Sequence, residues 1–160
     1  MKKERSTSSR DPSEDWDLER FLSYRIARLN AVLNSQATRI LEAGPGLSLG
    51  QWRVIVTIGA GGAATSRQLV EKTRIDPALI SRLLKQLEKL GLVDTGRSEE
   101  DRRVLDVRLT PDGDAVYRKT FPIMEDRQRM LRACFNQGEA AKLDDFIARL
   151  MTAASGDIAR

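Results

Sequence analysis

Ala78, Ser81, Arg82, Lys85 and Lys89 recur at intervals of three and four residues, the spacing that places side chains on one face of an α-helix. They are small, hydroxylic or cationic. On one helical face such groups can enter a major groove, bond base edges and meet phosphate oxygens. A second cluster is Asp101-Arg102-Arg103. A guanidinium at the tip of a ribbon can enter a minor groove, where the narrow width concentrates negative potential. Side chains alternate along a strand, so Asp101 and Arg103 share a face while Arg102 points the other way. The Asp101 carboxylate can hold Arg103 in one rotamer through a charge-assisted hydrogen bond, which leaves Arg102 for a phosphate or solvent. A third pair, Ser66 and Arg67, opens a short helix. With Lys89 it is suited to phosphates, because a helix N-terminus offers free amide donors.

The elements that must position these groups can be read residue by residue. Asp76 is a good N-cap and Pro77 suits the first helical position, where no amide donor is needed. Ile80, Leu83, Leu84, Leu87 and Leu90 form an apolar stripe at helical spacing. Gly91 stands where a left-handed residue would end that helix. Leu92 to Arg97 can form a strand, Ser98 to Arg102 a polar tip, and Leu105, Val107 and Leu109 alternate with Val104, Asp106 and Arg108 as in a half-buried strand. Thr110-Pro111 opens a further helix. Upstream, Thr65-x-x-Gln68 is a capping box for a short helix ending near Thr73. Two helices in tandem followed by a β-ribbon make a winged helix-turn-helix. The helix face alone would fit an ordinary solvated surface equally well. The ribbon that follows favours DNA.

The rest of the chain reads as a helical frame. Residues 1–15 are polar, rich in serine and charge, and are expected to be a disordered tail. From Trp16 to about Ala43, Leu18, Phe21, Leu22, Leu29, Leu33 and Ile40 give a long stripe. It exceeds what a small core needs, so it is expected to face a partner as well. Gly44-Pro45-Gly46 breaks this helix, and Ser48 or its neighbours cap a second one running to about Ile58. Thr110 begins a helix reaching about Cys134, bent at Pro122. Asn136-x-x-Glu139 starts the last, with Leu143, Phe146, Ile147, Leu150 and Met151 on one face. The expected fold is mainly α with a small antiparallel β-wing. It forms a single domain over residues 16–155, with a winged helix-turn-helix lobe over about 48–110. Dimerisation helices over about 16–43 and 111–155 form the base.

Three segments resemble a known family. Asp101-Arg102-Arg103, Val107, Leu109-Thr110-Pro111 and Gly113 resemble the DRR-x-x-x-V-x-LT-x-x-G signature of the MarR family of transcription regulators. Leu47-Ser48-Leu49-Gly50-Gln51-Trp52-Arg53-Val54 is similar to the family's LT-x-x-QWRVL segment. Leu83 to Val93, LLKQLEKLGLV, is similar to the exit of its recognition helix. The resemblance spans about residues 17–153 in the family's order. It implies a homodimer that binds palindromic double-stranded DNA, most often as a repressor released by a small aromatic acid or phenolic effector. The family's effector pocket lies where the dimer base meets the DNA-binding lobe. By that analogy Tyr24, Arg28, Trp52, Arg53 and Tyr117 are candidate effector contacts, with an arginine pairing a carboxylate and rings stacking on it. Trp52 also fits as an ordinary core aromatic. One departure from the family is Pro77-Ala78, where small or hydroxyl residues are commoner.

Composition narrows the alternatives. The chain has 160 residues, 41% hydrophobic and 31% charged, with a net charge of +4. That is ample for one domain with a core and is compatible with nucleic-acid binding. The wing is close to neutral, since Arg97, Arg102, Arg103 and Arg108 offset Glu99, Glu100, Asp101 and Asp106, so placement of charge matters more than amount. There is no histidine, hence no usual general base, zinc ligand or near-neutral switch. The single Cys134 permits no intramolecular disulfide or cysteine-rich metal site. It reads as a small buried hydrophobe near the dimer interface rather than a redox sensor. Peroxide-sensing family members usually carry the reactive cysteine on the first helix, where this chain has none. No secretory pattern and no membrane-length apolar run is visible, so a reducing cytoplasm is the expected setting.

One rival motif is the run from Val54 to Ile58 followed by Gly59-Ala60-Gly61-Gly62-Ala63-Ala64, which matches a strand and G-x-G-x-x-A. A dinucleotide site would need a second strand and an acidic residue about 20 positions on. That span falls in the amphipathic helix after Asp76, so a glycine-rich turn between helices is preferred. No nucleophile stands in a recognisable elbow, and no enzyme activity, metal or cofactor is expected. A winged-helix module that binds proteins instead of DNA is the alternative, which the outward cations oppose.

Overall fold

The computed structural model describes residues 17–97 and 105–156. After a 3-10 turn at Leu18–Arg20 come α1 (Leu22–Ala43), α2 (Leu49–Gly61), β1 (Ala64–Thr65), α3 (Ser66–Thr73) and α4 (Pro77–Lys89). They are followed by β2 (Val93–Arg97), β3 (Leu105–Leu109), α5 (Pro111–Arg132) and α6 (Gln137–Ser155). This is a mainly α fold with a small antiparallel sheet. The helix starts follow their caps. Ser48 with Gln51, Thr65 with Gln68 and Asn136 with Glu139 each form a reciprocal capping box. The Asp76 carboxylate accepts from the amides of Ala78 and Leu79. Each cap satisfies amide donors that helical geometry leaves without partners.

The end of α4 is equally well made. Gly91 has φ +70° and donates to the Glu88 carbonyl, while the Leu92 amide donates to the Leu87 carbonyl at 2.9 Å. This paired pattern is the Schellman motif. It turns the chain directly from α4 into β2.

In the sheet, β3 lies between β1 and β2, antiparallel to both. Val107 of β3 faces Ala64 on one side and Thr95 on the other. Ala64, Val93 and Val107 point into the core with Leu41, Val54, Ile55, Ile58, Leu69, Ile80 and Leu87. The helix α2 sits at the centre, against α1, α3, α4, α5 and β3. By contrast α6 contributes no buried residue. Leu22, Ile26, Leu29 and Val32 of α1, and Phe146, Ile147 and Met151 of α6, are exposed.

Several expectations are corrected. The first helix is not continuous from Trp16. Asp17 caps a separate 3-10 turn by accepting from the Glu19 amide, and the extended Phe21 breaks the path before α1. The second helix runs past Ile58 to Gly61, so Gly59 and Gly61 are helical. The reversal falls at Gly62, φ +76°. The short strand β1, two residues long, carries no periodic signal in the sequence. Leu90, counted with the apolar stripe, is 56% exposed, because it lies at the C-cap where α4 ends. Cys134 lies beyond the end of α5 and is exposed in this chain, not buried. As expected, α5 is one long helix with Pro122 inside it. Among the described residues no helix is long and apolar enough to cross a membrane.

Candidate nucleic-acid interface

The helix α4 divides as its spacing predicts. Ile80, Leu83, Leu84 and Leu87 are buried, whereas Ala78, Ser81, Arg82, Lys85 and Lys89 are exposed. The buried side packs on α2 and α3 and fixes the roll of the helix, so the exposed residues form one outward face. Among the described residues Arg82, Lys85 and Lys89 enter no ion pair. Three unneutralised cations on a rigid helix are available to an anionic partner.

Two polar ties hold α4 from the side. Gln51 Nε2 of α2 donates to Gln86 Oε1 at 3.3 Å. Thr95 Oγ1 of β2 donates to Glu88 Oε1 at 2.6 Å, which engages the one acidic side chain of α4. Neither tie was legible in the sequence, because the partners lie on different elements.

A cleft of about 530 Å³ runs between α3, α4 and the sheet, lined in part by Ser66, Arg67, Pro77, Ser81, Glu88 and Thr95. It brings Ser66 and Arg67 together with Ser81. Arg82, Lys85 and Lys89 do not line it. The turn from α3 to α4 passes through Arg74 in the left-handed region, φ 56°. That conformation costs a non-glycine residue of order 1 kcal/mol. Asp101, Arg102 and Arg103 lie outside the described residues. On the strand that follows, Arg108 is exposed and stands 4.0 Å from Asp106.

The candidate effector residues fall into two groups. Trp52 is 4% exposed, a core aromatic. Its ring stacks with Tyr117 at 6.4 Å between centroids, and Tyr117 in turn meets Phe121 at 5.5 Å. Arg53 is half-buried and donates to Asn34 Oδ1 at 3.2 Å. Tyr24 and Arg28 lie elsewhere, on the exposed first half of α1. The Arg28 guanidinium lies 5.9 Å from the Tyr24 ring centroid and pairs with Glu19 at 2.9 Å. Asn34 is six residues further, about 9 Å along the helix axis. Among the described residues no hydrogen bond, ion pair or ring contact joins the two groups. Phe121 was not anticipated as a neighbour of Tyr117.

A family profile described as the MarR family matches residues 46–104, from the loop before α2 to the wing. Over that segment the chain is similar to the MarR family. An uncharacterised HTH-type transcriptional regulator of Bacillus subtilis, YdgJ, is 28% identical over 79% of this chain and 75% of its own length. The HTH-type transcriptional repressor IacR of Pseudomonas putida is 29% identical over 66% of this chain and 64% of its own. Among solved structures, a MarR/EmrR family regulator from Acinetobacter matches with a TM-score of 0.80 at 20% identity, covering 87% of this chain and 98% of that one. Bordetella bronchiseptica BpsR, described with regulation of its DNA binding by 6-hydroxynicotinic acid, matches at TM-score 0.74 and 20% identity, covering 89% and 99%. A cysteine-to-serine variant of E. coli MarR complexed with operator DNA matches at 0.65 and 22%, covering 79% and 93%. At such identities these structures show a shared fold. The helix-turn-helix fold of this chain is thus one that these regulators share.

Proposed function

We propose that this chain is a MarR-type transcription regulator that binds palindromic double-stranded DNA as a homodimer in the cytoplasm, acts as a repressor, and is released by a small aromatic acid or phenol. The observation that carries the DNA reading is the outward face of α4, with Arg82, Lys85 and Lys89 in no ion pair among the described residues. Ala78, Ser81, Arg82 and Lys85 face the major groove. Ser66 and Arg67, with Lys89, meet phosphates. Arg103, held by Asp101, enters the minor groove, and Arg102 is left for a phosphate or solvent. The operator complex of E. coli MarR supports the DNA partner, and the name of IacR supports repression.

The dimer reading rests on apolar surface. The exposed residues of α1 and α6 exceed what isolated surface residues would supply, and the base made by α1, α5 and α6 is where a second copy would cover them. The effector reading has the support of BpsR and 6-hydroxynicotinic acid. In this chain Trp52, Arg53 and Tyr117 are its first candidates, with Tyr24 and Arg28 secondary. An effector acts by favouring a dimer whose recognition helices no longer match half-sites about 34 Å apart.

Selection of bound DNA from a random pool tests the proposal. A palindrome is the expected outcome, with a dimer by light scattering. A monomer, or binding that does not fall with salt, refutes it.

A further inference from the structure

Arg127 is 6% exposed, near the C-terminal end of α5, while its neighbours Glu125, Asp126, Gln128 and Arg129 face solvent. Its Nε donates to Oε1 of Gln36 at 2.9 Å, and its Nη2 donates to the carbonyl oxygen of Leu33 at 2.8 Å. Both acceptors belong to α1. Three residues apart, they share one face of that helix. Neither is charged, and among the described residues no carboxylate pairs with this guanidinium.

A buried charge met only by neutral acceptors is a poor source of stability. An apolar side chain of similar volume often does as well or better. What the guanidinium supplies is geometry, because its rigid planar fork of donors fits one placement of α1 against α5.

That placement matters because α5 is a strut. Its start is clamped to the DNA-binding lobe. Thr110 Oγ1 donates to the Gly91 carbonyl at 2.6 Å, and Gly113 packs on the backbone of Leu92. Arg127 lies about 25 Å further along the helix axis. Between them Thr120 and Met124 are buried. Over that length a rotation of about 10° moves the lobe end by about 4 Å, more than the rise of one base pair.

We infer that Arg127 is a positioning residue: by seating α5 on α1 it sets the spacing at which the two recognition helices of the dimer meet DNA. This rests on the proposed dimeric DNA binding. It adds the assignment of half-site spacing to a residue remote from the recognition helix.

The full chain is first used to select paired half-sites from random DNA. The selected site is then remade with the half-sites one and two base pairs closer or further apart, and as a single half-site. Arg127→Met should remain a folded dimer with Tm unchanged or higher. It should lose about tenfold in affinity at the selected spacing, within the range of typical site coupling. Its preference among spacings should flatten, and its binding to the single half-site should stay as in the unsubstituted chain. Arg127→Lys keeps the charge without the fork and should behave like Arg127→Met. If either variant retains the original spacing preference, the inference is overturned. An equal loss on every DNA, single half-site included, also overturns it. Should Arg127→Met not fold, Gln36→Leu removes only the acceptor of Nε and is measured in the same series against the same outcomes. If the unsubstituted chain selects no paired half-sites, the dimeric reading falls and the inference with it. If it selects them and the variants keep its spacing preference, only the inference falls.

Discussion

The ring of Tyr117 lies against the backbone of Gly59, so that a β-carbon added at Gly59 would stand 2.8 Å from two ring atoms. The glycine that looked like part of a flexible turn is therefore a contact point, where α2 and α5 approach closely beside the Trp52 ring. Gly59→Ala forces Tyr117 to move, and overpacking of this kind costs about 1–3 kcal/mol. Removing a glycine from a helix returns up to about 1 kcal/mol. The sign of the substitution is thus set by Tyr117. Gly59→Ala should lower stability in the natural chain and raise it in a Tyr117→Ala background. Urea unfolding of the four proteins in this double-mutant cycle measures the difference.

Gly113 is the stricter case. Its added β-carbon would overlap the carbonyl of Leu92, which is backbone and cannot rotate aside. Gly113→Ala should push the first turn of α5 off the lobe at a cost of about 3 kcal/mol or more. A thermal melt that shows no loss would mean that this joint yields more easily than its geometry suggests.

On α4 the roles of reading and anchoring separate. Arg82→Ala should relax sequence preference, because a base contact discriminates by about 1–3 kcal/mol. Lys89→Ala should weaken binding to all DNA alike and lower the salt slope by about one unit. Titrations on selected and random DNA at several salt concentrations distinguish the two. Identical behaviour would show that the face of α4 is assigned wrongly.

The chain has no histidine, the one side chain whose ordinary pKa falls between pH 5 and 8. Affinity for DNA at fixed salt should therefore change by less than about tenfold between pH 6 and pH 8. Fluorescence anisotropy across that range checks it, and a larger change would point to a strongly displaced carboxylate, thiol or terminal amine.

Much of this protein was determined by neighbours along the chain. The caps at Ser48, Thr65, Asp76 and Asn136 act on amides two or three residues away, and the apolar stripe of α4 repeats within two turns of one helix. The alternation through Leu105, Val107 and Leu109 is equally local. Such signals depend on covalent proximity and helical or strand geometry, so they can be read before any tertiary contact is known. The tertiary structure decided what depends on which elements meet. β1 has two residues, too few to carry a periodic pattern, and exists because Val107 pairs with Ala64. Gly59 is helical, and its missing side chain makes room for a ring on α5. The candidate effector residues share a family argument, yet Arg28 sits with Tyr24 and Glu19 while Trp52 sits with Tyr117. Arg127 looks in sequence like one more charge on a polar helix. Its burial follows from Leu33 and Gln36, 94 and 91 residues away, and no local rule connects residues at that distance.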